Sequence, residues 1–273
     1  MIRKLLRMLY RLAAREITVR QAFYQVQMRL FNRQRDLNDD FDWTRYHLHY
    51  REELKSVSRV ATLLPQSGDF EFSNSRLCQV NMDVKPLHPN HHLLYEIILG
   101  LAPRSVLEVG CGGGDHLRNL HFFDPRLKCF GVDRSEGQVA TLRERHPQLP
   151  AELHIMDLTD PETVLPSVEL VYSQAVLMHI SETGGRFANA LKNILRSARF
   201  HIVMIENWTE HDFLAATREA VAADSLWAGA KFYYVCRPES AEVRALVLSK
   251  LSLPFEELRD YDALLQGQEM RIH

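Results

Sequence analysis

Cysteine is sparse in this chain. Four cysteines fall among 273 residues, at 78, 111, 129 and 236, and no two of them form a C-x-x-C pair. That spacing excludes a zinc knuckle and a disulfide framework, and such thiol usage fits a reducing cytoplasm. Long apolar runs are missing too. A membrane-spanning helix needs about 18 or more consecutive apolar residues, and the N-terminus lacks the uninterrupted apolar core of a secretory signal. Charge of one sign is not in excess: 33 Lys and Arg face 35 Asp and Glu, for a net charge of −2. The whole chain is therefore not a polycation built for nucleic acid. What remains, 46% hydrophobic and 25% charged residues, is the composition of an ordinary globular protein.

The charge that is present is unevenly placed. Arg3, Lys4, Arg7, Arg11, Arg15 and Arg20 stand against only Glu16 in residues 1–20. At about 100° per residue, Arg3, Lys4, Arg7, Arg11 and Arg15 share one helical face and Ile2, Leu5, Leu6, Met8, Leu9, Leu12 and Ala13 take the other. A basic amphipathic helix of this kind lies on an anionic membrane surface, packs on its own chain, or buries itself in a homodimer. Residues 21–64 continue in helical style, broken near Asn38-Asp39-Asp40 and at Pro65-Gln-Ser-Gly68. Asp69 to Asp83 reads as irregular or weakly extended. A helix near Asn90 to Leu101 follows, with Asn90 as its expected cap. Residues 1–85 are expected to be a mostly helical N-terminal region, and 86–273 the main domain.

From residue 104 onward strands alternate with helical patterns, which argues for a parallel sheet with helices on both faces. The expected strands are 105–109, 128–133, 151–156, 168–173 and 200–206. Helices are expected near 135–146, 184–198 and 211–223. Lys231 to Arg237 and Arg244 to Lys250 read as a closing antiparallel pair. The expected fold class is α/β: a doubly wound, seven-stranded, mainly parallel sheet with an N-terminal helical appendage.

Glycine is also scarce, 12 in all, yet four glycines crowd into 110–114. They lie in Ser105-Val-Leu-Glu-Val-Gly-Cys-Gly-Gly-Gly-Asp-His-Leu117, an apolar strand running into a turn and then a helix. Backbone without Cβ can approach a ligand closely, and the helix start offers unpaired N–H groups. A dinucleotide fingerprint G-x-G-x-x-G fails in both registers, because its third glycine would fall on Asp115 or Leu117. A Walker loop fails because no Gly-Lys pair occurs. The pattern that fits is E-x-G-x-G-x-G at Glu108, Gly110, Gly112 and Gly114, with Asp133 closing the next strand. It resembles the first motif of the class I methyltransferases that use S-adenosylmethionine.

That resemblance implies a cofactor site at the carboxyl ends of the first two inner strands. Gly110, Gly112 and Gly114 would run beside the methionine moiety, and Glu108 would organise the turn or meet the ligand ammonium through water. Asp133 would accept both ribose hydroxyls, since a carboxylate offers two acceptor oxygens. Asp157 would accept the adenine amino proton, Leu158 would cover the ring, and Ser173 with Gln174 would flank the transferred methyl. Val176-Leu-Met-His179-Ile180 resembles a run that family members carry after strand four. His179 is thus a candidate general base, and packing against backbone is the competing duty for it.

Glu206, His211 and Asp212 form a polar cluster with Trp208 after the fifth strand. Glu206 and His211 are further candidate bases there, with a solvated loop as the alternative. His88, His91 and His92 form the last cluster. Adjacent His91 and His92 cannot share a helix face, so no metal site is expected. The absence of a [DNS]-P-P-[YFW] run and of a Pro-Cys nucleophile argues against base and glutamine methylation of the types those motifs mark. The reading is methyl transfer to oxygen of a saccharide, a lipid-linked glycan or a small metabolite. RNA or protein methylation, and a non-catalytic binding partner that keeps the fold, are the rivals.

Overall fold

The computed structural model describes residues 64–180, 185–206, 213–236, 243–253 and 259–260. The chain divides into two units, Met1–Trp43 and Thr44–His273, and every described residue belongs to the second. The expected basic helix at 1–20 and the candidates Trp208, His211 and Asp212 lie outside the described residues.

The described part begins with a hairpin, β1 (Phe70–Ser73) and β2 (Arg76–Gln79), paired antiparallel. The segment 69–83, read as irregular or weakly extended, thus contains two extended strands whose pairing the sequence did not reveal. Asn74 and Ser75 supply its turn, both in the left-handed region with φ of 51° and 61°. Two consecutive positive φ values are what a two-residue hairpin turn of matching twist needs. Helix α1 (Pro89–Leu101) holds the hairpin. The Glu96 carboxylate accepts from the Leu77 N–H at 2.9 Å, and His92 Nε2 lies 2.6 Å from the Leu77 carbonyl. The cap of α1 is His88, whose Nδ1 accepts from the Asn90 N–H at 3.2 Å. Asn90 was the expected cap, but its side chain is engaged elsewhere: its Oδ1 accepts from Arg244 Nε at 3.0 Å.

The main sheet is built from β3 (Ser105–Val109), β4 (Lys128–Asp133), β5 (Ala151–Ile155), β6 (Val168–Gln174), β7 (Ala198–Ile205), β8 (Lys231–Cys236) and β9 (Val243–Ser249). Its order is β5-β4-β3-β6-β7-β9-β8, with a two-residue strand β10 (Arg259–Asp260) added at the β8 edge. The first five of these run parallel, and β9 and β8 close the sheet antiparallel. The seven expected strands are all present, and β10 is an eighth. The chain winds outward from β3 through β4 and β5, then returns to β6 on the other side. Strand order therefore reverses between β3 and β6, which is where open α/β sheets bind ligands.

Helices cover both faces. Helix α2 (Asp115–Phe123) follows β3, α3 (Glu136–Arg145) follows β4, α4 (Arg186–Ser197) precedes β7, and α5 (Phe213–Ala222) follows it. Because both faces are covered, β3 and β6 are buried along nearly their whole length, Glu108, Glu169 and Ser173 included. Alternation along the strands sends Val106, Leu170, Tyr172 and Val203 to one apolar cluster, shared with Leu94, Ile98, Leu117 and Leu120 of α1 and α2. It sends Leu107, Val109, Val171 and Ile202 to the other, shared with Phe187, Leu191 and Ile194 of α4. Trp227 closes that second cluster, fully buried, and its indole N–H donates to the Leu195 carbonyl at 2.7 Å.

Candidate active site

The glycine turn sits where β3 ends, and two contacts dictate its shape. Gly110 has φ +71°, and a Cβ added there would lie 2.5 Å from Val176 Cγ2. Gly114 has φ +81° and caps α2; a Cβ there would collide with the buried Leu142 of α3. Both positions thus combine a left-handed backbone with a close neighbour, which only glycine meets without strain. Over Gly112 a Cβ would meet nothing within 4 Å, so space is open above the middle of the turn.

Asp133, the last residue of β4, locks this turn. Its Oδ2 accepts from the Gly112 N–H at 2.9 Å and its Oδ1 from the Ser135 N–H at 2.8 Å. Burial pushes its pKa up, opposed by those two N–H groups and by Arg134. Each oxygen keeps a further lone pair for a ligand hydroxyl.

Glu108 points away from the turn into the core. It is 2% exposed, and its Oε2 accepts from the Tyr172 hydroxyl at 3.1 Å. Burial drives its pKa well above the ordinary carboxylate range, against the Tyr172 hydrogen bond. This placement gives Glu108 a role in holding β3 to β6 beneath the turn. Asp115, first residue of α2, is paired with Arg145 Nη2 at 2.8 Å and His146 Nε2 at 3.0 Å.

Asp157 follows β5. Its Oδ1 accepts from the Thr159 N–H and hydroxyl, both at 2.8 Å. Burial opposes its ionisation, yet Thr159, Arg134 and Arg186 together hold its pKa below the ordinary value. Leu158 is buried in the second apolar cluster, and its carbonyl accepts from Asn193 Nδ2 at 2.9 Å.

At the end of β6, Ala175 takes a left-handed conformation with φ 54°, uncommon for a residue with a side chain. Glu206, just past β7, accounts for it. Its carboxylate is 8% exposed and accepts from the Val176 N–H at 3.0 Å and the Met178 N–H at 3.3 Å. It thereby holds the segment whose Val176 side chain lies over Gly110. The buried Ser173 hydroxyl lies beside the same carboxylate and favours its ionised form, although it reaches good hydrogen-bond geometry with no described residue. The arrangement makes Glu206 a positioning group, with its oxygens facing backbone. His179 stands exposed on the 3-10 turn Leu177–His179 that Glu206 anchors.

Burial lifts the Glu206 pKa to about 7, against Ser173 and the three backbone N–H groups of Val176, Leu177 and Met178. The folded protein therefore holds this proton more tightly than the unfolded chain. Its stabilising effect is full below the ordinary carboxylate pKa and is lost as pH rises through about 7, a loss on the order of 3 kcal/mol. Urea unfolding at pH 5 and pH 8 tests this. The wild type should lose that much more stability across the interval than Glu206→Gln, and parallel losses in the two proteins would refute the assignment.

Of the histidines at the start of α1, His91 reaches α2. The His88 and His91 rings are 5.0 Å apart, and His91 stands edge-on to His116 at 4.6 Å. Among the described residues no group of three or more His, Cys, Asp or Glu side chains is arranged to hold a metal ion.

The geometry is therefore a glycine turn locked by a strand-end acid at the reversal of strand order, with open space above it. A family model described as a methyltransferase domain matches residues 106–200. The chain carries a methyltransferase domain over those residues. The sequence is 29% identical over 107 residues to trans-aconitate 2-methyltransferase of Acidovorax sp. (strain JS42), covering 39% of this chain and 40% of that protein. It is 30% identical over 142 residues to the enzyme of the same name from Variovorax paradoxus (strain S110), covering 51% and 52%. The chain thus spans between 40% and 62% of the length of the curated relatives it matches. Among solved structures, DesVI of Streptomyces venezuelae shares 15% identity at a TM-score of 0.46, covering 59% of this chain and 91% of that one. A TehB-like SAM-dependent methyltransferase from Corynebacterium glutamicum shares 20% at 0.45, covering 57% and 86%. At these values the solved structures bear on neither substrate nor mechanism.

S-adenosylmethionine is the cofactor of this class of domain, and the residues present fit it. The open volume above Gly112, the spare lone pairs of Asp133 and the Asp157 Oδ2, which has no partner among the described residues, suit a nucleoside. Sequence reasoning missed Tyr95 and Asn119, and placed His116 with Asp115 at the start of a helix as a secondary candidate for ligand contact. Their polarity inside apolar helical patterns was the available signal, and all three meet at the α1–α2 contact beside the turn.

Proposed function

We propose that this chain transfers the methyl group of S-adenosylmethionine to an oxygen of a small acceptor: a saccharide, a lipid-linked glycan or a small metabolite. The observation that carries the reading is the Gly110–Gly114 turn, held open by Asp133 at the reversal of strand order. When bound, the sulfonium supplies an activated methyl group with its own leaving group. The protein's part is then alignment and exclusion of water. Asp133 and Asp157 would hold the ribose and the adenine amine, Leu158 would back the ring, and Gln174 with Ser173 would border the transfer point. Support for a small oxygen acceptor comes from the relatives named for trans-aconitate, a carboxylate. A carboxylate needs no base. A hydroxyl acceptor would need one, and His179, on the 3-10 turn that follows β6, is a candidate for that duty, with His211 as the other.

Calorimetry with S-adenosylmethionine, followed by labelled-methyl transfer to a metabolite panel, tests the reading. Micromolar binding and labelled product are expected. No binding, with Asp133→Ala indistinguishable from wild type, would overturn it. The basic N-terminal segment would bring the domain to acceptors at an anionic membrane surface. Flotation with anionic liposomes should then recover the full chain and lose a chain lacking residues 1–20. Equal behaviour of the two removes the membrane from the reading.

A further inference from the structure

A chain of buried polar side chains runs from α2 to the transfer edge of the sheet, and its direction can be derived. Arg118 Nη1 donates to the Pro65 carbonyl at 2.8 Å and to Asn119 Oδ1 at 3.0 Å. A guanidinium has no acceptor, so the oxygen of Asn119 must face Arg118. Its amide nitrogen then faces Tyr95, and Nδ2 donates to the Tyr95 hydroxyl at 3.0 Å. The hydroxyl proton still needs an acceptor, and among the described residues the one within reach is His116 Nδ1, 2.8 Å away. Burial lowers the His116 pKa to about 4, so the ring is neutral at physiological pH and carries one proton. Since Nδ1 accepts, that proton resides on Nε2.

This fixed donor stands two residues past Gly114, and the Gln174 carboxamide at the end of β6 lies against the same ring. The contact biases the imidazole toward its proton without reaching good hydrogen-bond geometry. The Gln174 nitrogen donates to no described residue. His91 adds a second signal. It is 6% exposed, and its Nδ1 is buried with no hydrogen-bond partner. An unpaired buried polar atom costs about 1–3 kcal/mol, a cost that a ligand atom would relieve. Burial, with His116 and His88 nearby, lowers the His91 pKa to about 3, so this ring is neutral as well.

Such a set selects its ligand. Donors with no formal charge suit a singly charged carboxylate. An ammonium would need acceptors in their place. A phosphate dianion would call for a cation, and the nearby guanidiniums are engaged, Arg118 with Pro65 and Asn119 and Arg145 with Asp115 and the Gly113 carbonyl.

We propose that His116, its proton held on Nε2 by Arg118, Asn119 and Tyr95, forms with Gln174 and His91 a neutral carboxylate-binding site beside the glycine turn. The inference rests on the methyltransferase reading and deepens it. The carboxylate is the acceptor's, since Gln174 stands at the transfer end of β6, and the amino-acid end of the methyl donor is the source the test excludes. Tyr95 is a positioning residue, and its removal frees His116 to take the other tautomer.

The full-length chain is titrated by calorimetry with S-adenosylhomocysteine, with 5′-methylthioadenosine, which lacks the carboxylate, and with trans-aconitate in the presence of S-adenosylhomocysteine. Wild type, Tyr95→Phe and the half-buried Gln174→Glu are compared, and ring nitrogen NMR reads the His116 tautomer. Wild type should show His116 protonated on Nε2 alone, and Tyr95→Phe a mixture. If the acceptor supplies the carboxylate, both variants weaken trans-aconitate about tenfold and leave both nucleosides unchanged. If both instead weaken S-adenosylhomocysteine about tenfold and leave 5′-methylthioadenosine unchanged, the set serves the methyl donor and the proposal is overturned. Equal weakening of the two nucleosides overturns the proposal. So does S-adenosylhomocysteine affinity that neither variant changes, when trans-aconitate binds none of the proteins or binds all equally. A wild type that binds neither nucleoside overturns the methyltransferase reading itself, and is thereby told apart.

Discussion

Asp133→Ala should weaken S-adenosylmethionine binding by about a hundredfold. Two effects combine. The carboxylate is expected to accept two ribose hydroxyls, and hydrogen bonds to a charged group contribute about 1.5–3 kcal/mol each. It also holds the Gly112 N–H at 2.9 Å and the Ser135 N–H at 2.8 Å, so its loss releases the middle of the glycine turn and the start of α3. The first effect alone comes to about 3 kcal/mol, or about a hundredfold in affinity. Asp133→Asn separates the two. Its amide keeps one acceptor and turns its NH2 group against either the backbone N–H or the sugar. It should fall between wild type and Ala in calorimetry with S-adenosylmethionine. An alanine variant within threefold of wild type would remove Asp133 from the cofactor site.

Gly110→Ala should be the most damaging substitution for stability in the turn. A left-handed backbone costs an alanine about 1–2 kcal/mol. Overpacking against a well-filled neighbour adds about 1–3 kcal/mol, and here the new methyl would sit 2.5 Å from Val176 Cγ2. Val176 cannot easily withdraw, because the Glu206 carboxylate holds its N–H at 3.0 Å. A loss of about 3–4 kcal/mol is expected in urea unfolding. Gly112→Ala gives the contrast. It carries only the backbone penalty, since nothing lies within 4 Å of its new methyl. Its damage should appear in S-adenosylmethionine affinity, because the methyl would enter the open space above the turn. Equal stability losses in the two variants, with equal retention of binding, would contradict the placement of the ligand over Gly112.

Much of this architecture was legible in the chain because period and punctuation are local. The strands at 105–109 and 128–133 occur as read. The inner parallel strands β4, β3, β6 and β7 were visible because strands covered on both faces are rich in apolar residues. The glycine turn was legible because positive φ and close approach select glycine wherever they occur. The hairpin at Phe70–Gln79 was not legible. Asn74-Ser75 lacks the glycine that marks most such turns, and the hairpin is held by Glu96 and His92 from a helix that follows it. The role of Glu206 escaped for a related reason. A carboxylate at a strand end reads as a base, while its partners, Val176 and Met178, lie 28 and more residues earlier in the chain. The polarity of Tyr95, His116 and Asn119 could be seen, but not that they meet.

Sequence alone determined the layer order, the site of the turn and the acid that closes the next strand. Each depends on residues close together in the chain, and backbone geometry acts over that range. Only the tertiary structure decided which way the charged and polar groups face. It turned Glu108 inward to Tyr172 at 3.1 Å, gave Glu206 to the backbone of a distant loop, and joined Tyr95 to His116 across two helices at 2.8 Å. A hydrogen bond has direction and a range of about 3 Å, and pairing across the sheet is set by packing, which no local pattern encodes.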